Sequence, residues 1–188
     1  MLEKMIKAIN HEDPSYVIGK IQDLCSPESM VLEIGCGDGR NLKRLKEFGF
    51  CYLEGIDKDG EKIIKAKENL GENAVLRQEN ILNFSTDRKF DIIFHSLVGI
   101  FLSPEEKKIL IEKVRAYLNP GGYYIFEEIA RNISKLPSNR PPYFYSKKEL
   151  EGLNKYFTRV SLEEVKRIVD GKEITGGLVY VGRLIAIP

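Results

Sequence analysis

A chain of 188 residues, 43% apolar and 30% charged, is long enough for one compact domain, too short for two full-sized ones and too apolar to stay disordered. A formal net charge of +1 and a sequence pI of about 7.6 leave no electrostatic footprint for nucleic acid. Three cysteines without a C-x-x-C pair (Cys25, Cys36 and Cys51) argue for free thiols rather than a disulfide framework, and the charge scattered over 1–21 argues against a signal peptide or a membrane span, so a cytoplasmic protein is expected.

The expected organisation is a single domain over 1–188, with 1–28 forming a helical lid or cap from short helices at Leu2–Ile9 and Pro14–Leu24. Val31–Gly35 is a short apolar run ending in glycine, which reads as a strand and a tight turn. Arg40–Phe48 carries Leu42, Leu45 and Phe48 at helical spacing, and Gly49 stops it. A second strand over Cys51–Ile56 precedes a helix capped by Asp59 and closed by Gly71. Strands are expected at Ala74–Gln78 and Phe90–Phe94. Ser103, Pro104 and Glu106 then form a capping box with proline at the first helical position, opening a helix to about Leu118. Asn119–Gly122 is a turn into a fifth strand, Tyr123–Ile129. Residues 130–146 are irregular and rich in proline, arginine and aromatic rings; a short helix follows from about Lys147. The final strands, Arg159–Val169 and Ile174–Ile187, flank Asp170-Gly171, a strong hairpin signal. Alternating strands and helices build an α/β fold, a parallel sheet covered on both faces, and ligands of such sheets bind beyond the carboxyl ends of the strands.

The chemistry concentrates in Glu33-Ile34-Gly35-Cys36-Gly37-Asp38-Gly39, between an apolar strand and an amphipathic helix. Glycines let the backbone turn sharply and approach a ligand closely, and the helix aims its free N–H groups at the same place. Asp57, at the end of the next strand, stands where a carboxylate takes ribose hydroxyls. A dinucleotide fingerprint needs a third glycine where Arg40 stands, and a pyrophosphate would not suit Glu33 and Asp38; a ligand carrying an ammonium group would.

These residues resemble the first motif of the class I S-adenosylmethionine-dependent methyltransferases. Gly55-Ile56-Asp57 resembles their second motif, Phe90-Asp91-Ile92-Ile93 their fourth-strand motif, and Leu118-Asn119-Pro120-Gly121-Gly122 the turn before strand five. The resemblance covers about Val31–Glu128. It implies a Rossmann-like, seven-stranded, mostly parallel sheet with an antiparallel last strand and helices on both faces. It also implies S-adenosyl-L-methionine as cofactor and S-adenosyl-L-homocysteine as product. Gly35, Cys36, Gly37 and Gly39 would cradle the methionine part, Glu33 would hold its amino end through water, and Asp57 would take the ribose. Asn41, Lys58 and His95 join the implied cofactor set, with Asn80 and Ile81 at the adenine; the family usually has an acidic residue where Asn80 stands. Gly39-Arg40-Asn41-Leu42, the short length and the long final hairpin are similar to the tellurite-resistance type of small-molecule methyltransferase.

A sulfonium cofactor brings an activated methyl group, so the protein mainly aligns a nucleophile and excludes water, with a general base needed only for a protonated acceptor. His95, directly after the fourth strand, is the candidate base; local packing is its alternative role. Glu127 and Glu128 end strand five on opposite faces, and Glu128 is the second catalytic candidate. Ser96, Arg140, Tyr143 and Tyr145 are candidate acceptor contacts. Asn139-Arg140-Pro141-Pro142-Tyr143 only superficially matches the motif of amino-methylating nucleic-acid enzymes, because it follows the wrong strand. No cluster has metal-ligand spacing.

The expected activity is methyl transfer by in-line displacement to a small-molecule acceptor, with no membrane or nucleic-acid partner. The alternatives are a protein or RNA methyltransferase, a non-catalytic S-adenosylmethionine-binding partner protein and, as a poorer fit, a nicotinamide oxidoreductase. Acceptor and oligomeric state stay open.

Overall fold

The computed structural model describes residues 16–129, 145, 147–169 and 172–184. Strands β1 (Met30–Ile34), β2 (Tyr52–Asp57), β3 (Val75–Gln78), β4 (Phe90–Ser96), β5 (Leu118–Ile129), β6 (Phe157–Val169) and β7 (Lys172–Leu184) form one sheet in the order β3-β2-β1-β4-β5-β7-β6. The first five run parallel, and β7 lies antiparallel between β5 and β6. The chain leaves β1 towards β2 and β3, then returns to β4 on the other side of β1. The strand order therefore switches between β1 and β4, where sheets of this kind open a crevice at the carboxyl ends.

Helices cover both faces. Helices α1 (Tyr16–Leu24), α2 (Arg40–Glu47) and α3 (Gly60–Leu70) bury Val17, Ile21, Leu42, Leu45, Ile63 and Leu70 against one face. Helices α4 (Pro104–Tyr117) and α5 (Lys147–Gly152) cover the other, on a core of Leu110, Val114, Leu150, Tyr124, Phe126 and Tyr180. Among the described residues no helix is long and apolar enough to cross a membrane.

Local signals in the sequence hold in detail. Asp59 accepts hydrogen bonds from the amides of Glu61 and Lys62 at the start of α3, and Ser103 and Glu106 form the reciprocal capping box of α4. Strand β4 runs two residues further than its apolar core suggests, because His95 and Ser96 pair with Phe126 and Glu127. Strand β5 starts early: Leu118 pairs with Phe90, the chain bulges around Gly121 at φ +78°, and pairing resumes at Ile92 and Tyr123. The expected helix at Leu2–Ile9 lies outside the described residues; the next begins at Tyr16.

Candidate functional site

The turn after β1 sits at the strand-order switch. Gly35, Gly37 and Gly39 all have positive φ, and the amides of Gly35 and Cys36 both donate to the Ile56 carbonyl, which straps the turn to β2. The Cys36 side chain points inward, its Sγ 2.9 Å from where a Cβ on Gly55 would stand. Burial raises its thiol pKa far above the ordinary value, and its Sγ lies 3.9 Å from the Gly37 carbonyl, so the side chain packs under the turn.

Glu33 and Asp57 end neighbouring strands on either side of this turn. Glu33 is 1% exposed; its Oε1 accepts Asn41 Nδ2 at 2.7 Å and its Oε2 meets no donor. Burial is the main cause that raises its pKa to about 8, reinforced by Asp57 and Asp38 and opposed by the Asn41 hydrogen bond. Asp57 is half-buried; its Oδ2 accepts the Gly37 amide at 2.8 Å and its Oδ1 the Asp59 amide at 2.9 Å. One carboxyl group thus shapes the turn while keeping a lone pair on each oxygen for a ligand. Asp38, which the sequence offers to an ammonium ligand, instead forms a bidentate pair with Arg40 at 2.9 and 2.8 Å. That pair holds its carboxyl below the usual range.

The turn after β3 holds the expected adenine residues. Asn80 is exposed, and its Oδ1 already accepts the Leu82 amide at 3.0 Å, so its side chain stabilises its own turn. Ile81 is buried at 6% exposure, and Lys58 is exposed with its carbonyl 3.4 Å from Gln78 Nε2.

At the carboxyl ends of β4 and β5, alternate residues part company. Ser96 and Glu127 pair on the α1 face, with Ser96 half-buried and Glu127 at 1% exposure. His95 and Glu128 lie on the α4 face in a buried polar cluster. His95 Nε2 is 2.8 Å from the Tyr124 hydroxyl, Nδ1 is 3.3 Å from Glu128 Oε1, and the ring stacks on Phe126. Tyr145 stacks on Phe126 as well, at 6% exposure, with Lys107 Nζ 4.0 Å above its ring. Burial pushes both phenols well above their usual range, reinforced by Tyr145 and Glu128 at Tyr124 and by Glu128 and Glu149 at Tyr145, and burial lowers Lys107. Arg140 and Tyr143 lie outside the described residues.

Three participants carry no sequence signal: Tyr124, Lys107 and Gly99, whose amide donates to Glu128 Oε1 at 2.5 Å. Each meets its partner only once β4, β5 and α4 are stacked. Among the described residues no cluster of His, Cys, Asp or Glu could hold a metal ion. A pocket lined by Met30, Cys51, Tyr52, Glu54 and Arg88 opens at the amino ends of the strands, the opposite end from the glycine turn.

Residues 31–122 match a family model described as a methyltransferase domain. The malonyl-[acyl-carrier protein] O-methyltransferase 2 of Ilyobacter polytropus is 28% identical over 149 residues, which are 76% of this chain and 53% of that protein. The chain spans about half the length of the first curated relatives it matches. In fold, it is similar to TehB from Haemophilus influenzae, with a TM-score of 0.74 at 21% identity over 95% of this chain and 64% of that one. It is also similar to the N-methyltransferase NodS from Bradyrhizobium japonicum solved with S-adenosyl-L-homocysteine, with a TM-score of 0.71 at 20% identity over 97% of both chains. The expected likeness to the tellurite-resistance type agrees with the first of these.

Proposed function

Since the chain belongs to the class I S-adenosylmethionine-dependent methyltransferases, we propose that it transfers the methyl group of S-adenosylmethionine to a small-molecule acceptor by in-line displacement. The observation that carries this is the pair of carboxyl groups flanking the glycine turn. Glu33 keeps one buried oxygen without a donor, and a Cβ on Gly37 would meet nothing within 4 Å. A buried acceptor without a donor in a strand that ends at a left-handed turn, with open space over Gly37, fits a water-bridged ammonium group of a methionine moiety, and Asp57 fits the ribose hydroxyls.

When bound, the sulfonium supplies an already activated methyl group. The chain's own task is geometric. Glu33, kept in place by Asn41, would anchor the amino end through water; the glycine turn would shape the space for the methionine part and Asp57 would fix the ribose; Ser96, at the tip of β4, would border the acceptor. With one point held at each end of the cofactor, the methyl group has a single direction in which to leave. Ile81 would meet the adenine with its backbone amide, since the Asn80 side-chain oxygen accepts the Leu82 amide and the Asn80 carbonyl accepts those of Asn83 and Phe84.

An acceptor carried on a protein is the second reading. It is favoured by the name of the Ilyobacter polytropus relative, whose acceptor is borne by an acyl-carrier protein.

Calorimetric titration of wild type and Asp57→Ala with S-adenosylmethionine and S-adenosylhomocysteine tests the cofactor assignment. Micromolar binding weakened at least about ten-fold in the variant is expected, because Asp57 both shapes the turn and contacts the ligand. No binding by folded wild type would sink the proposal. Methyl transfer from labelled S-adenosylmethionine to small-molecule and carrier-protein panels then separates the two readings.

A further inference from the structure

The turn after β4, Leu97–Phe101, joins the two halves of the site. Leu97 has φ +61°, a conformation a non-glycine residue holds only when its surroundings impose it. Its amide donates to the Glu127 carbonyl at 2.8 Å, and the Gly99 amide donates to Glu128 Oε1. Between them, a Val98 methyl stands 2.4 Å from where a Cβ on Gly35 would be, so this turn is pressed onto the first glycine of the β1 turn. A Cβ on Gly99 would stand 2.7 Å from Glu128 Oε1 and 2.6 Å from the Tyr145 ring. The Glu128 side chain is 0% exposed, backed by His95 and, behind it, Tyr124.

We propose that Glu128 is a positioning residue that clamps the turn after β4 through the Gly99 amide, so that Val98 holds the glycine turn in its binding shape, with His95 and Tyr124 orienting the carboxyl group. This rests on the reading that the glycine turn binds the cofactor. It assigns His95 a different part from that of a base. His95 Nε2 shares a hydrogen bond with the Tyr124 hydroxyl, Nδ1 lies 3.3 Å from Glu128 Oε1, and the ring is 0% exposed, so neither nitrogen is open to an acceptor.

The test needs one readout without ligand and one with it. Hydrogen exchange of the 96–103 segment is followed in wild type, Glu128→Gln, Glu128→Ala and Gly99→Ala, with the α2 segment 40–47 as an internal reference. S-adenosylhomocysteine affinity is measured on the same proteins. Losing a buried hydrogen bond to a side-chain acceptor should speed exchange of 96–103 about ten-fold in Glu128→Ala, leave 40–47 unchanged, and weaken binding by a similar factor. Glu128→Gln, whose amide oxygen still accepts from Gly99, should restore both. Gly99→Ala attacks the same contact from the other side and should mimic Glu128→Ala; it also serves if Glu128→Ala fails to fold. Unchanged exchange at 96–103 in both disruptive variants overturns the clamp. Faster exchange with unchanged affinity overturns its role in holding the glycine turn. Wild type that binds no S-adenosylhomocysteine refutes the functional reading instead, while the exchange data still decide the clamp.

Discussion

At 1% exposure, Glu33 has one oxygen on Asn41 and the other without a donor, and its pKa stands at about 8 instead of 4.5. A raised carboxyl pKa means that the folded chain binds this proton more tightly than the unfolded one. Its contribution to stability is fully present below about pH 4.5 and is lost as the pH rises through about 8. Ligand binding runs the other way, because an ammonium group stabilises the ionised carboxylate. Between these pH values, binding should release a proton, and affinity for S-adenosylhomocysteine should rise towards pH 8. Glu33→Gln keeps the acceptor for Asn41 and removes the titration. At pH 8 the ligand-free variant should be more stable than wild type by roughly 1–3 kcal/mol, yet bind S-adenosylhomocysteine more weakly. Denaturant titrations and calorimetry in two buffers of different ionisation enthalpy measure both. A variant that binds as tightly as wild type would remove Glu33 from the site. The motif Glu33–Gly39 was legible in the sequence because its residues are neighbours along the chain. The Asn41 hydrogen bond that keeps Glu33 in place was not, since it depends on how the first turn of α2 lies over β1.

Two glycines of one turn serve different elements, and substitution should separate them. Gly39, at φ +79°, caps α2; a Cβ there would stand 2.8 Å from Leu70 Cδ1 and 3.1 Å from Ala66 Cβ, both on α3. Gly37, at φ +56°, would meet nothing within 4 Å. Gly39→Ala adds a helix–helix clash to backbone strain and should cost about 2–4 kcal/mol of stability. Gly37→Ala carries the strain alone, about 1–2 kcal/mol, but its methyl enters the space assigned to the cofactor. It should therefore lose S-adenosylhomocysteine affinity out of proportion to its loss of stability, while Gly39→Ala shows the reverse balance; thermal melts beside binding isotherms distinguish them. Element ends were the best-read part of the sequence. The Asp59 cap and the Ser103–Glu106 box are set by side chains reaching two or three residues along the chain. What spacing does not carry is the pairing between elements. Arg77 and Arg88 both converge on the buried Glu54, and no local pattern in β2, β3 or the loop before β4 announces that meeting. For the same reason the sequence leaves His95 between a base and local packing: its neighbours Tyr124 and Glu128 are 29 and 33 positions away along the chain, and only the β4–β5 register brings them to one face.

On the scale of the whole molecule, a single sheet feeds two cores. Along β4, Ile92 and Phe94 enter the core under α1, α2 and α3, whereas Ile93 lies in the core under α4 and α5. Strand alternation was legible in the apolar runs, but which parity faced which helix layer was set by strand order. The consequence is mechanical: neither core can open without losing strands that the other needs, so both should unfold in one transition. The chain supplies its own probe, because it has no tryptophan and, among the described residues, its two fully buried tyrosines, Tyr124 and Tyr180, both lie in the α4-side core. Their near-ultraviolet dichroism reports that face, while far-ultraviolet dichroism reports the whole. Ile21→Val trims the α1-side core and Ile111→Val the other; each should cost about 0.5–1.5 kcal/mol, and the double variant their sum within about 0.5 kcal/mol. If the cores are coupled, Ile21→Val shifts the tyrosine-detected transition as far as the far-ultraviolet one, although it touches nothing in the tyrosines' core. A tyrosine transition that stays in place while the far-ultraviolet signal moves would mean that the faces melt separately. The glycine turn, strapped to β2 on one side and pressed by Val98 on the other, would then lose its support from one half of the molecule before the other.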